Sequence, residues 1–383
     1  MKIMHICLVG TVTDGWNYQE NILTKYHHLL GNEVAVLTSQ WIRGENANFK
    51  TDERGVYVYQ GIKVRRVPCY FGNVDSKIKL FPNVYRILTE EKPDILFVHG
   101  CQFLDVLSVV KYCKKHPEVR VYVDNHADFS NSATNWLSKN ILHKIVWRWC
   151  AQRIEPYTTK FYGVLPARVD FLKEMYDLPA NKCELLVMGA DDELVQAAAE
   201  PEVRARIREQ YGIAEDDFLI MTGGKIDAFK TQTLLLMQAV KNMANKHIKL
   251  IVFGSVTQEL QAQVESLADG ECVQYIGWVQ AKDSYEYFSA ADLVVFPGRH
   301  SVFWEQVAAQ GIPMLCKRWD GTTHVDLGGN VKFLTQDSVE DIQTAIEDLT
   351  SDADAYMKMK RIAVERGMKE FAYSDIAKRS VEQ

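Results

Sequence analysis

Short apolar, β-branched runs alternate with longer amphipathic segments along almost the whole chain, and this alternation most constrains the fold. Runs of that kind match strands buried on both faces, and the segments between them match covering helices. In the first half the predicted strands are Ile3–Val9, Glu33–Thr38, Ile62–Val67, Ile95–Val98, Val119–Val123 and Lys160–Val164. A helix is predicted from Tyr18 to Leu30, stopped by Gly31, and another from about Trp136 to Ile154. After residue 195 a second series begins, with strands at Phe218–Met221, Ile248–Phe253, Val273–Ile276, Leu293–Phe296 and Pro313–Cys316. The fold class is therefore α/β, with two successive parallel-sheet domains meeting near 190–200, where Gly189-Ala-Asp-Asp192 follows a strand.

A chain of 383 residues fits two domains of ordinary size, and its 47% hydrophobic content is enough for two cores. The formal charge of −6 gives no whole-surface attraction for nucleic acid. That total hides a split. Residues 1–190 carry 24 basic and 19 acidic side chains, whereas the remainder carries 20 and 31. A basic first half suits an anionic membrane or substrate, although such a difference is also common between ordinary surfaces. The eight cysteines include no Cys-x-x-Cys pair, which fits reduced thiols in a cytosolic protein. The opening Met1–Gly10 reads as a strand, not a signal peptide, and no stretch approaches the roughly 20 apolar residues of a membrane span. Membrane contact is expected to be peripheral. Trp136, Leu137, Ile141, Ile145 and Trp149, interleaved with Lys139, Lys144, Arg148 and Arg153, make either an interfacial helix or an aromatic stripe packed into the first domain.

Two loops carry the strongest chemical signals. Thr222-Gly-Gly-Lys-Ile-Asp-Ala-Phe-Lys-Thr231 lies between a strand and a helix. Gly223 and Gly224 permit a tight turn, and Lys225 and Lys230 can converge on the oxygens of a nucleoside diphosphate. It is not a Walker loop. In Phe296–Pro313, amides around Gly298, His300 and Ser301 can hold an anion, while Glu305 or Gln306 can accept ribose hydroxyl hydrogens.

In the first half, the loop after the opening strand contains Gly15, where backbone can approach a substrate, but no Gly-x-Gly-x-x-Gly dinucleotide fingerprint. Val123-Asp-Asn-His-Ala-Asp128 leaves another strand. His126 is the candidate contact to an acceptor or leaving-group phosphate, and Asp128 can orient an acceptor hydroxyl. His99 ends a third strand and either lines the same edge or serves as a structural partner. The adjacent Asp191 and Asp192 read as a hinge or a solvated turn, and no metal site is expected.

Lys92-Pro-Asp-Ile-Leu-Phe-Val-His-Gly100, Val187-Met-Gly-Ala-Asp191, Gly224-Lys225 with Lys230, and Phe371-Ala-Tyr-Ser-Asp-Ile-Ala377 resemble elements of the retaining nucleotide-sugar glycosyltransferases of family 4. The resemblance spans nearly the whole chain. It implies a GT-B fold, with two Rossmann-like domains facing a central cleft. Residues 1–192 would bind acceptor, 193–365 would bind donor, and 366–383 would cross back onto the first domain. His126 is similar to the acceptor-side His of this family. The usual Glu-x7-Glu signature is not reproduced: Gly298 and Gln306 occupy its two positions, and Glu305 stands one residue early, a rotation of about 100° on a helix.

The resemblance implies retaining transfer of a sugar from a UDP- or GDP-linked donor to an acceptor hydroxyl, in surface polysaccharide or lipid-linked glycan synthesis. No cofactor or metal is implied. Lys225 and Lys230 would stabilise the departing diphosphate. The expected location is cytoplasmic, at the inner face of the cell membrane, with the basic first domain towards the lipid. A sugar-nucleotide epimerase of similar architecture and a non-catalytic sugar-nucleotide-binding subunit are the alternatives.

Overall fold

The computed structural model describes residues 1–44, 48–51, 55–72, 76–243 and 245–382. The chain divides into two compact units, Met1–Val187 with Ile376–Gln383, and Met188–Asp375. Each is built on a largely parallel sheet covered by helices, as the alternation of runs predicts.

The first sheet runs Cys183–Leu185, Thr158–Gly163, Arg120–Asn125, Ile95–His99, Lys2–Cys7, Glu33–Ser39, Ile62–Val67 and Gly55–Tyr59 in spatial order. Its central strands are buried along almost their full length because helices cover both faces. Ile95–His99 is buried at every position. Leu96, Val98, Val109, Val121 and Ile154 form part of one continuous core. The second sheet runs Val273–Tyr275, Ile248–Phe253, Phe218–Gly223, Leu293–Phe296, Met314–Lys317 and Val331–Leu334.

The predicted strands are present, with ends displaced by at most two residues. Among the described residues five strands escape the sequence reading, two of them the short antiparallel pair Trp41–Arg43 and Asn48–Lys50. Cys183–Leu185 has three residues, Val331–Leu334 has four, and Gly55–Tyr59 is an antiparallel edge strand exposed at alternate positions. None offers a run long or apolar enough to stand out.

The predicted helix at Trp136–Ile154 is a π-helix, with i→i+5 hydrogen bonding, over Ser138–Trp147 continuing as α-helix over Arg148–Ile154. Its inward face is His143, Trp147, Cys150, Ala151 and Ile154. The stripe singled out above faces solvent: Trp136 is 70% exposed, Leu137 59% and Ile145 58%. Among the described residues, no helix is long and apolar enough to cross a membrane.

In the second unit, Phe218–Gly223 lies beside Ile248–Phe253 with Gly223 opposite Phe253, and the chains stay together beyond the strand ends. Gly224 N–H donates to Phe253 O at 3.0 Å and Ile226 N–H to Ser255 O at 2.8 Å. Only glycines allow this approach. A Cβ on Gly223 would meet the Phe253 ring at 2.3 Å, and one on Gly254 would sit 1.9 Å from the Gly224 carbonyl oxygen. Gly254 also has φ +133°, which side chains rarely adopt. Gly254→Ala should therefore cost at least about 2 kcal/mol of stability in this unit, read as a lowered urea midpoint. An unchanged midpoint would mean that the two backbones are not held this close.

Candidate functional site

Parallel pairing brings the loops that follow adjacent strands to one edge of a sheet. In the second unit Phe218–Gly223 is hydrogen-bonded to Leu293–Phe296, so residues 224–231 and 297–302 leave the same edge side by side. Gly298 lies against the Gln232 side chain, at the start of the helix Gln232–Asn242.

Lys225 and Lys230 are brought together here. Lys225 Nζ stands 3.4 Å from Asp227 Oδ2 with its side chain 59% exposed, and Lys230 N–H donates to Asp227 O at 2.9 Å. Burial lowers the Lys230 pKa, Asp227 opposes the shift, and Lys225 adds to it by like-charge repulsion. An anion arriving between the two ammonium groups would relieve that repulsion. Arg299 adds a third cation, its guanidinium lying over the Phe229 and Trp319 rings.

The helix Phe303–Ala309 separates its two candidate ribose ligands, as the 100° rotation requires. Gln306 is buried and donates to Ser284 Oγ at 3.0 Å. Glu305 is fully buried, and its Oε1 accepts from His300 Nε2 and His324 Nε2, both at 2.8 Å. In this structure neither side chain is presented to solvent at the loop edge. Burial works against ionisation, but the two imidazoles prevail and hold the Glu305 carboxyl at about 2. His300, 11% exposed in its side chain, and Ser301, at the helix entrance, are the groups nearest the surface.

His300, Glu305 and His324 also place one ligand atom each within 4.8 Å of one another, as do Asp216, Asp217 and His247. Both N···O separations at Glu305 have hydrogen-bond length, with ring protons pointing at the carboxylate, so a metal would have to displace both protons. His324 lies nineteen residues beyond Glu305 on the 3-10 turn Thr323–Val325, and no sequence signal marks it.

In the first unit the loop after Arg120–Asn125 carries His126, 37% exposed in its side chain, with Nε2 3.6 Å from Asp124 Oδ2. His126 borders a cavity of about 530 Å³ lined also by Lys77, Gln102, Ser132, His143 and Trp147. Burial lowers the His143 pKa to about 4, so this ring is neutral, and its hydrogen-bond partners are Ser132 and Tyr176.

Asp128 does not face the cavity as a free acceptor. It is buried, accepts from Ser130 N–H at 2.7 Å and Ser130 Oγ at 2.6 Å, and pairs with Arg168 Nε at 3.2 Å. That arrangement shapes the loop holding His126. His99 is likewise interior, with Nδ1 2.7 Å from Asp124 Oδ2. Its structural-partner reading is the one the geometry favours. Asp124, two residues before His126, carries no sequence signal, because nothing in the sequence distinguishes a carboxylate facing inwards from its neighbours. Gly15, with φ +80°, lies in a first-unit loop near Tyr59 Oη.

With this geometry in hand, the likeness to known proteins can be placed. Residues 217–352, most of the second unit, match the family model "Glycosyl transferases group 1". The whole chain superposes on Anabaena HepE in complex with UDP with a TM-score of 0.70 and 16% identity, covering 99% of this chain and 98% of that one. The fold is GT-B. Neisseria meningitidis UDP-GlcNAc 2-epimerase bound to UDP-GlcNAc superposes with a TM-score of 0.61 and 12% identity, over 99% and 98% of the two chains. In sequence, 188 residues are 23% identical to a Mycolicibacterium smegmatis GDP-mannose-dependent alpha-(1-6)-phosphatidylinositol monomannoside mannosyltransferase. That match takes in 45% of this chain and 48% of the relative, about half of each. The family match thus rests on residues 217–352, and the likeness over the whole chain is one of fold.

The Glu305 cluster makes a testable statement about stability. Its carboxyl is depressed in the folded state, so the stabilisation it supplies is complete above the ordinary glutamate range near 4.3 and lost as pH falls towards 2. Urea unfolding between pH 2.5 and 5 should therefore show a steeper acid loss for the native chain than for Glu305→Gln. Equal slopes would mean that the carboxylate is not held by the two imidazoles.

Proposed function

We propose that the protein is a retaining glycosyltransferase that moves a sugar from a nucleoside-diphosphate donor to the hydroxyl of a glycan or lipid-linked acceptor. The observation that carries this reading is the Gly223–Gly224 turn with Lys225 and Lys230 converging at a strand edge. On this reading the two lysines and the loop amides of 298–301 meet the charge that grows on the departing diphosphate, so the positive charge comes from protein groups without requiring a metal. His300, anchored by buried Glu305, contacts the donor in place of the usual glutamate. The donor phosphate assists deprotonation of the acceptor on the same face, with His126 contacting the acceptor or the leaving phosphate. HepE is described in complex with UDP and with UDP-glucose, and the mannosyltransferase as GDP-mannose-dependent, so both bases belong in the assay.

Lys225→Ala/Lys230→Ala should abolish the thermal shift given by UDP- or GDP-linked sugars, a loss of at least tenfold in affinity. His126→Ala should lower turnover at least tenfold while leaving that shift in place. Isomerised donor formed without acceptor would favour the epimerase reading, to which the Neisseria likeness lends support. Tight donor binding with no product would favour a non-catalytic subunit, consistent with the inward-facing Glu305 and Gln306.

The acceptor is proposed to be presented by an anionic lipid surface on the cytoplasmic side of the cell membrane. Exposed Trp136, Leu137, Ile145 and Trp149 share one helical segment with Lys139, Lys144 and Arg148, matching apolar and phosphate layers of a leaflet. The other face of that segment, through Ser138, Leu142 and Trp147, lines the cavity beside His126. Flotation with vesicles containing phosphatidylserine should recover the native chain, and Leu137→Glu/Ile145→Glu should reduce recovery severalfold. Equal recovery of both would reject this surface as the docking face.

A further inference from the structure

Three histidines with no part in the proposed chemistry form a continuous buried chain beneath His126. His99 Nδ1 meets Asp124 Oδ2 at 2.7 Å, and His99 Nε2 meets His5 Nδ1 at 2.9 Å. His5 Nε2 meets His27 Nδ1 at 2.9 Å. His27 Nε2 ends the chain against the C-terminal segment, 3.1 Å from Ala377 O and 2.9 Å from Ser380 Oγ. His5, His27, Asp124 and Ser380 are all 0% exposed, and His99 is 4% exposed.

With the Ser380 hydroxyl donating to Ala377, proton counting gives this chain one direction. Ser380 Oγ donates its proton to the Ala377 carbonyl at 2.9 Å. A carbonyl only accepts, so His27 Nε2, within hydrogen-bond distance of the same oxygen, carries a proton. Neutral His27 then accepts at Nδ1 from His5 Nε2–H, and neutral His5 accepts at Nδ1 from His99 Nε2–H. His99 also donates from Nδ1 to the carboxylate. The four links require four ring protons, and three neutral imidazoles hold three. The fourth makes one ring an imidazolium, and the Asp124 carboxylate places it on His99.

The local electrostatics agree with that assignment. Burial alone would push His99 towards neutrality, yet Asp124 holds its pKa well above the ordinary imidazole value. Burial holds His5 well below that value and His27 at about 4, so both are neutral. The other titratable groups facing His99 are the Cys7 thiol on its own strand layer, pushed up by burial, with Glu20 acting on that thiol, and His126 beyond Asp124.

We propose that His5 and His27 are positioning residues: they form a one-proton relay through which the docked C-terminal segment holds the His99 imidazolium against Asp124, and so fixes the carboxylate beneath His126. The relevance to His126 rests on the transferase reading, but the relay itself does not. Because the His99 pKa is raised on folding, its contribution is complete below the ordinary imidazole value and is lost as pH rises through the raised one. Loss of the fourth proton leaves one link unmade, and docking of the segment weakens in the same pH range.

Imidazole ¹H–¹⁵N spectra of the full chain at pH 7 test the count directly. The expected pattern is a doubly protonated His99 with His5 and His27 both protonated at Nε2. Three neutral rings, with His5 and His27 protonated at Nδ1, would overturn the proposal. Hydrogen exchange tests the coupling. His27→Gln keeps a donor for Ala377 and an acceptor for His5, so His99 should stay charged and residues 376–381 protected. His27→Phe keeps neither, so the His99 imidazolium signal should vanish at pH 7 and protection of 376–381 should fall at least tenfold. Retention of both in His27→Phe would also overturn it. Should His27→Phe not fold, the native spectra and the pH dependence of tail protection still decide. In turnover assays His27→Phe should lower kcat with little change in donor KM, and His27→Gln should restore it. Absence of turnover in the native chain would count against the transferase reading alone, since the spectra need no substrate.

Discussion

Parallel strand pairing governs where chemistry can occur in this protein. Parallel strands deliver their carboxyl ends to one edge, and each chain then needs a helix to return. The pairing of Phe218–Gly223 with Leu293–Phe296 therefore sets the lysine loop beside the loop that begins at Pro297. In the first unit the pairing of Ile95–His99 with Arg120–Asn125 puts His99 opposite Asp124, two residues before His126. The glycines at Gly223, Gly224 and Gly254 extend that register past the last ladder bond, which is why the Lys225 backbone has a defined path.

A second constraint is the cost of burying charge, which requires a partner for each interior anion. Three carboxylates at the two loop edges meet it in the same manner. Asp124 is held by His99, Glu305 by His300 and His324, and Asp128 by Arg168 together with Ser130. Two of them, Asp128 and Glu305, read as substrate ligands in one dimension and are interior anchors in three. The group left at the surface is a neighbour, His126 in the first unit and His300 in the second.

Local chemistry was legible where it depends on neighbours in sequence. The two α/β series, the glycine-lysine turn and the angular separation of Glu305 from Gln306 all follow from spacing along one element. The buried ends of polar side chains were not legible. Asp128 resembles an acceptor ligand because its loop is polar, but the same loop supplies the Ser130 donors that satisfy it. His27 falls on the inward side of the helix Gln19–Leu29, where a histidine pair invites no reading beyond helical pattern.

The sequence by itself determined the alternation of strands and helices, the division of the chain into two α/β series and the position of the glycine-lysine loop, because periodicity and turn chemistry act over a few residues. Only the tertiary structure decided which charged groups face inwards. It joined His5 to His99 across 94 positions and His27 to Ser380 across 353. Contacts at such separations depend on which strands become neighbours and where the chain's last residues settle, and neither leaves a local pattern for spacing to reveal.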